Sequence, residues 1–444
     1  MAYEIIIINK TGGIRMKKII EFLEKYFVPF AGKVGAQRHL VAIRDGFVAI
    51  MPLILVGSLA VLFNNLPIPG WANLMKSIFG DQWNSFGGTL WNGTFAVMSL
   101  LVVFTASYNL AKSYEKDGLS AGVVSFASLL MLYAGSAKDW AIPFAFLGAQ
   151  GLFVSLFVAL VSTEIFVKLM NNKKLVIKMP DGVPPAVSRS FAALLPSLIT
   201  LVIFGALKIV LTDIGIPDVH NYIFTIIQKP LLGLASSLGA ALLVVFLLHL
   251  LWFFGLHGAN ILLPITTALF LPLMSANVDA FAAGKPAPNI ITSSFFDTFV
   301  YMGGAGSTIC LLAAIFIVGR REENKAKAKL GLAPSLFNIN EPVLFGMPLV
   351  LNPIYVIPFI LTPLVLTLTS YAAIAAHIVP KTIALVHWTM PPIISGFLAT
   401  GSVMGIALQL VNLAIGIIIY IPFVIVSEKY AKDSEINTSK TLNM

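Results

Sequence analysis

Charge and cysteine are what this chain has least of. Only 11% of its 444 residues are Asp, Glu, Lys or Arg, against 58% hydrophobic, where soluble domains carry about 25% charged residues. That excludes an ordinary soluble domain. With a mean hydropathy of +0.90, the chain reads as an all-α polytopic membrane protein. The single cysteine, Cys310, lies in the apolar stretch from Thr308 to Phe316, so neither a disulfide framework nor a cysteine metal cluster can be built. No metal and no cofactor is expected. Acidic residues are the scarcer charge, 20 against 29 basic, for a net +9. The basic excess gathers in short segments between apolar runs and at the termini, which marks cytoplasmic loops and excludes nucleic-acid binding.

What is present is a succession of apolar runs. A span needs about 20 apolar residues, and candidates lie near 41–63, 90–111, 119–136, 143–167, 191–212, 231–256, 257–278, 290–318, 354–378 and 391–427, about ten crossings. Lys168, Lys173, Lys174, Lys178 and Arg189 mark one loop, and Arg320, Arg321, Lys325, Lys327 and Lys329 another. Both loops are expected in the cytoplasm, as are both termini, given the basic N-terminal segment and Lys429, Lys432 and Lys440. An even number of crossings follows. MAYEIIIINKTGGIR holds an isoleucine run too short to span and lacks a signal cleavage site, and Met16 is a candidate alternative start. Lys17 to His39 mixes charged residues with Ile19, Phe22, Leu23, Phe27 and Phe30, the pattern of an amphipathic helix on the membrane surface. The expected organisation is an amphipathic segment over 1–40, a scaffold domain over 41–230 and a substrate domain over 231–444, divided near the loop NNKKLVIKMPDGVPPAVSRS.

Two polar segments stand out in the second half. Between Lys329 and Lys381, Glu341 in SLFNINEPVLFGMPLVLNP is the only Asp, Glu, Lys or Arg. A carboxylate at membrane depth costs several kcal/mol unless it is paired or faces a wet cavity, so it marks a site. Asn338, Asn340, Pro342, Gly346, Pro348, Asn352 and Pro353 are poor helix material, and irregular backbone at that depth lines a cavity or is buried in protein. The plainer alternative for Glu341 is an ion pair with Lys381 or Arg44. From Pro230 to Val278 there is again no Asp, Glu, Lys or Arg, yet LLHLLWFFGLHGANILLP carries His249, Trp252, His257 and Asn260. His257 sits between Gly255 and Gly258, where a helix breaks. His249, inside an unbroken leucine run, reads as a packing residue. Both polar segments are candidates for re-entrant hairpins, which transporters use to build sites at the membrane centre.

GLHGAN at 255–260 followed by NINEPVLFGMPLVLNP at 338–353 resembles the membrane subunit, enzyme IIC, of the sugar phosphotransferase system, in its lactose, cellobiose and diacetylchitobiose branch. The likeness covers nearly the whole chain. It implies a homodimeric, multi-pass permease of the bacterial plasma membrane, with an N-terminal dimerisation domain and a C-terminal sugar domain containing two re-entrant hairpins. The substrate implied is a disaccharide phosphorylated on its 6-hydroxyl. The phosphoryl donor is a phosphocysteine on a separate enzyme IIB, itself supplied by IIA. Cys310 offers no carrier of that kind.

Within that frame Glu341 is the candidate base for the hydroxyl and His257 its orienting partner or a stabiliser of phosphoryl charge. Asn260 and Asn340 are further candidate binding residues. Trp252 and Trp388 are candidate platforms for a sugar ring, whose C–H face packs on an aromatic face. Trp71, Trp83, Trp91 and Trp140 read as interfacial belt residues, and Asn92, Asn109 and His387 are minor candidates. The loops 171–189 and 320–329 are candidate docking surfaces for the soluble partner. A proton-coupled secondary sugar transporter is the alternative reading, with Glu341 carrying the proton. An intramembrane hydrolase lacks a nucleophile and base pair in this sequence.

Overall fold

Hydrocarbon offers backbone N–H and C=O groups no partner, so each apolar run must close its own hydrogen bonds as a helix. The structure, a computed structural model, describes residues 21–66, 68–134, 141–177, 179–180, 182–347 and 349–442, with side chains as far as 431. The expectations for MAYEIIIINKTGGIR, Met16, Trp140, Lys178 and Pro348 lie outside the described residues.

Among the described residues, eight helices are long and apolar enough to cross a membrane: Arg38–Asn64, Trp83–Ser113, Ala149–Met170, Pro185–Asp213, Gly258–Ala282, Ser293–Val318, Val356–Ala375 and Val403–Ala431. Val219–Ala235 and Leu238–Phe253 form a pair bent by 74°, counted as a ninth if taken as one span. Gly118–Leu132 is apolar but has only 15 residues. Each expected run from the sequence thus has a helical counterpart, and the difference from about ten crossings lies in the bent pair and the short helix. Of the segments open to a re-entrant reading, the one after His257 is a single helix of 25 residues. The run 391–427 breaks at Gly401 into Ile394–Thr400 and a long helix from Val403. Residues 23–35 are helical, and Phe22, Tyr26 and Phe30 form an exposed aromatic stripe along them, as expected of an interfacial helix.

The chain divides into two compact units. One comprises Gly35–Ala235 and Leu263–Lys285. Its core joins Val103, Ala106, Leu129, Val158 and Phe204, and buried hydroxyls serve as glue between helices, with Ser125 Oγ 2.5 Å from Ser162 Oγ. In the same unit Glu164 accepts from Tyr114 and lies 2.9 Å from His39.

The other unit contains the described residues of Met1–Val34, Ser236–Leu262 and Pro286–Met444. Leu248, Trp252, Cys310, Val343, Leu344, Phe359 and Tyr420 share its core. Backbone groups at helix ends here are satisfied by two amides on the long helix from Val403. Gln409 Oε1 accepts from the N–H groups of Ile393 and Gly396 at 2.7 and 3.0 Å, and its Nε2 donates to Thr298 O and Ser395 Oγ at 2.7 and 2.9 Å. Asn412 donates to Phe299 O and Ser370 Oγ at 3.1 and 2.8 Å and accepts from Thr369 at 2.9 Å. Fully satisfied buried amides of this kind hold irregular chain at membrane depth.

Candidate functional site

The GLHG segment is a stop, a step, a cap and a clearance. Helix Leu238–Phe253 ends because Gly255 takes φ +76°. Gly255 N–H donates to Trp252 O at 2.9 Å and Leu256 N–H to Leu251 O at 3.0 Å, the two bonds of a Schellman motif. His257 then opens the next helix. Its Nδ1 accepts from Asn260 N–H at 3.2 Å and its carbonyl from Ile261 N–H at 3.1 Å, so the imidazole does the work of a Ser or Asp N-cap. Gly258 has no alternative, since a Cβ there would lie 2.1 Å from Leu248 O.

The NINE segment repeats this construction. Helix Glu322–Leu336 ends with Asn338 at φ +60°, Asn338 N–H donating to Ser335 O at 3.0 Å and Ile339 N–H to Pro334 O at 3.1 Å. Asn tolerates this left-handed conformation better than other side chains. Asn340 is the N-cap and Glu341 the first residue of helix Glu341–Gly346. Val343 and Leu344 anchor that short helix in the core beside Leu248 and Trp252, and Leu351 N–H donates to Phe253 O at 2.9 Å. The two turns are thereby brought together.

At their meeting His257 Nε2 lies 3.7 Å from Glu341 Oε1, with side chains 41% and 45% exposed. A hydroxyl oxygen fits about 2.8 Å from both atoms. Because Nδ1 accepts from Asn260 N–H, the neutral ring carries its proton on Nε2, the nitrogen that faces Glu341. His257 is therefore set as donor and Glu341 as acceptor. The alternative partners for Glu341 are engaged elsewhere: Lys381 donates to the carbonyls of Ala287 and Pro288, each at 2.9 Å, and Arg44 to Asp45 at 2.8 Å.

The other expected residues divide by exposure. Asn260 is exposed, with its backbone N–H committed to His257. Trp252 is buried, its ring 4.3 Å from the His257 ring, and its Nε1 has no hydrogen-bond partner. It forms a wall behind His257 and leaves little ring surface for a ligand. Asn340 is likewise buried, donating to Ala305 O at 2.6 Å and Thr308 Oγ1 at 3.0 Å. Trp388 is 48% exposed. His249, read as a packing residue, is fully buried with Nδ1 2.6 Å from Val245 O.

Trp388 belongs to a closed turn. Met390 N–H donates to His387 O at 2.9 Å, and His387 Nδ1 accepts from the hydroxyl and N–H of Thr389 at 2.5 and 3.3 Å. Burial lowers the pKa of His387 and so favours its neutral ring, and the Thr389 N–H directed at Nδ1 places that ring's proton on Nε2. Asn338 reaches the same turn, donating to Trp388 O at 2.5 Å and Met390 O at 3.2 Å while accepting from Gly303 N–H at 2.7 Å. Neither Gln409 nor Asn412 was singled out in the sequence, although two amides three residues apart in an apolar helix are a legible signal.

Residues 44–363 match the family model described as Phosphotransferase system, EIIC. Over 422 residues the chain is 41% identical to the lichenan permease IIC component of Bacillus subtilis strain 168, covering 92% of this chain and 93% of that protein. It is 42% identical over 430 residues to the cellobiose-specific EIIC component of the PTS system of Geobacillus stearothermophilus, covering 93% and 95%. The crystal structure of the transporter ChbC, the IIC component from the N,N'-diacetylchitobiose-specific phosphotransferase system, matches with a TM-score of 0.89 at 42% identity, over 93% of this chain and 99% of that one.

Proposed function

The chain belongs to the EIIC family of the phosphotransferase system, in its lactose and cellobiose branch, and from that premise we propose that it binds a disaccharide of the cellobiose or diacetylchitobiose type, carries it inward and presents its 6-hydroxyl to phospho-enzyme IIB. The half-exposed pair His257 and Glu341 at 3.7 Å is the observation that carries this reading. A sugar hydroxyl between them donates its proton toward Glu341 and accepts from His257 Nε2–H. Phosphoryl transfer asks for an in-line oxygen nucleophile, oriented and relieved of its proton, and this pair supplies both. Trp388 offers the exposed ring face on which a pyranose packs.

The protein acts as a homodimer, with both termini cytoplasmic, residues 41–230 serving as scaffold and 231–444 carrying the sugar. Its soluble partner docks on the basic segments 171–189 or 320–329, the second of which is not the expected loop but largely the first turns of helix Glu322–Leu336. In the latter, Arg321 and Lys327 pair with Glu323, and Lys325 with Glu322, the glutamates exposed and the basic side chains partly so; pairs near the surface contribute little to stability and can exchange for a partner's carboxylates.

Reconstitution in sealed vesicles tests the function. Cellobiose or diacetylchitobiose should appear inside as the 6-phosphate only when IIA, IIB and a phosphoryl source are supplied. Accumulation of unmodified sugar under a proton gradient alone would establish the proton-coupled alternative instead.

A further inference from the structure

We propose that Asn338 is a positioning residue whose single carboxamide sets the Trp388 turn against the Glu341 turn. It rests on the proposed function in taking a sugar to lie between the Trp388 ring and the Glu341 carboxylate. Asn338 stands three residues before Glu341, is only 8% exposed, and holds φ +60°. Its oxygen takes the Gly303 N–H at 2.7 Å, and its nitrogen gives to Trp388 O at 2.5 Å and Met390 O at 3.2 Å. Those partners fix the amide orientation, because the oxygen must face an N–H and the nitrogen must face two carbonyls.

The choice of residue follows from the combined demand. Glycine fits the backbone but offers no side chain, and aspartate fits the backbone and accepts but cannot donate. Asparagine does all three. The turn that it grips is internally closed by His387 and Thr389, so it moves as a unit. Pro391 and Pro392 have no N–H to anchor it further; the flanking chain is held by Val386 N–H to Ser294 Oγ at 3.4 Å before the turn, and after it by Ser395 N–H to Pro391 O at 3.0 Å and Ile393 N–H to Gln409 Oε1 at 2.7 Å. A ring platform and an acceptor carried on different segments thus share one amide as their gauge. Errors of about 1 Å in such geometry cost on the order of a hundredfold in rate.

The test uses the full chain in detergent. Asn338→Asp keeps the size, the backbone conformation and the bond from Gly303, but replaces the donor with a carboxylate oxygen facing two carbonyls. A thiol placed by Trp388→Cys is labelled with a methanethiosulfonate reagent in the absence of sugar, with protein retaining Trp388 as the blank for buried Cys310. Adding Asn338→Asp should change the labelling rate by about threefold or more, as expected for the loss of a buried hydrogen bond; an unchanged rate overturns the tether. Asn338→Gly gives the same reading should the aspartate variant fold poorly.

Binding of whichever of cellobiose and N,N'-diacetylchitobiose the unaltered protein takes is then measured in a double-mutant cycle with Trp388→Ala. Asn338→Asp should weaken binding about threefold to tenfold alone and add nothing to Trp388→Ala, since it acts through that ring. Additive losses would mean general destabilisation and overturn the role. A changed labelling rate in a protein that binds neither sugar would sink the proposed function while leaving the tether in place.

Discussion

His257 caps one helix, Glu341 opens another, and their side chains meet at 3.7 Å with each about half exposed. The meeting requires both preceding helices to end on a left-handed residue, Gly255 in one case and Asn338 in the other. A ring N–H donor and a carboxylate acceptor are thereby placed where a third group can enter between them.

Glu341→Gln keeps shape and hydrogen bonding but removes the proton acceptor. Sugar binding measured with purified protein should change by less than about tenfold, while phosphorylation by phospho-IIB should fall by about 10²–10⁴, the usual contribution of a general base. Phosphorylation at the unaltered rate would show that the carboxylate only binds.

His257→Ala should lose both the cap on Asn260 N–H and the donor to the sugar. Capping losses amount to about 0.5–2 kcal/mol. His257→Asn restores a cap and not the Nε2–H. Thermal melting in detergent should recover in the asparagine variant while sugar affinity does not.

Gly258→Ala forces a methyl to within 2.1 Å of Leu248 O. Overpacking against rigid backbone costs about 1–3 kcal/mol, so melting monitored by size-exclusion chromatography should drop by several degrees. An unshifted melting point would mean that the GLHG turn is not built as described.

Gln409→Leu strands the N–H groups of Ile393 and Gly396 and the Thr298 carbonyl. Each buried unsatisfied group costs about 1–3 kcal/mol. Protease sensitivity near residues 391–401 should rise sharply, and Gln409→Glu should be milder because it retains the acceptor.

Burial lowers the pKa of His387 below its ordinary value of 6.5. The unfolded chain then takes up a proton at a pH where the folded chain resists it. Stability from this source is therefore complete above about pH 6.5 and declines as the pH falls below it. Replacing His387 by Asn should remove part of the acid-side decline in melting temperature measured between about pH 7 and about pH 5.

Span positions were legible because hydropathy is local: the runs at 41–63, 290–318 and 354–378 became Arg38–Asn64, Ser293–Val318 and Val356–Ala375. Glu341 was legible because the cost of solvating a lone charge needs no partner to be calculated. The burial of Trp252 and Asn340 was not, since a tryptophan or an asparagine near a break reads alike whether it faces a cleft or braces the wall behind it. The 74° bend between Val219–Ala235 and Leu238–Phe253 also escaped, because an apolar run shows its length and not its direction.

Membrane environment, helices and the two motifs follow from composition, turn chemistry and the isolation of a charge, all properties of short stretches of chain. That His257 faces Glu341 with its proton on Nε2, and that Asn338 grips the Trp388 turn, came from packing alone. Those contacts join residues far apart in the chain, and they depend on which buried faces pack together, which no local pattern records.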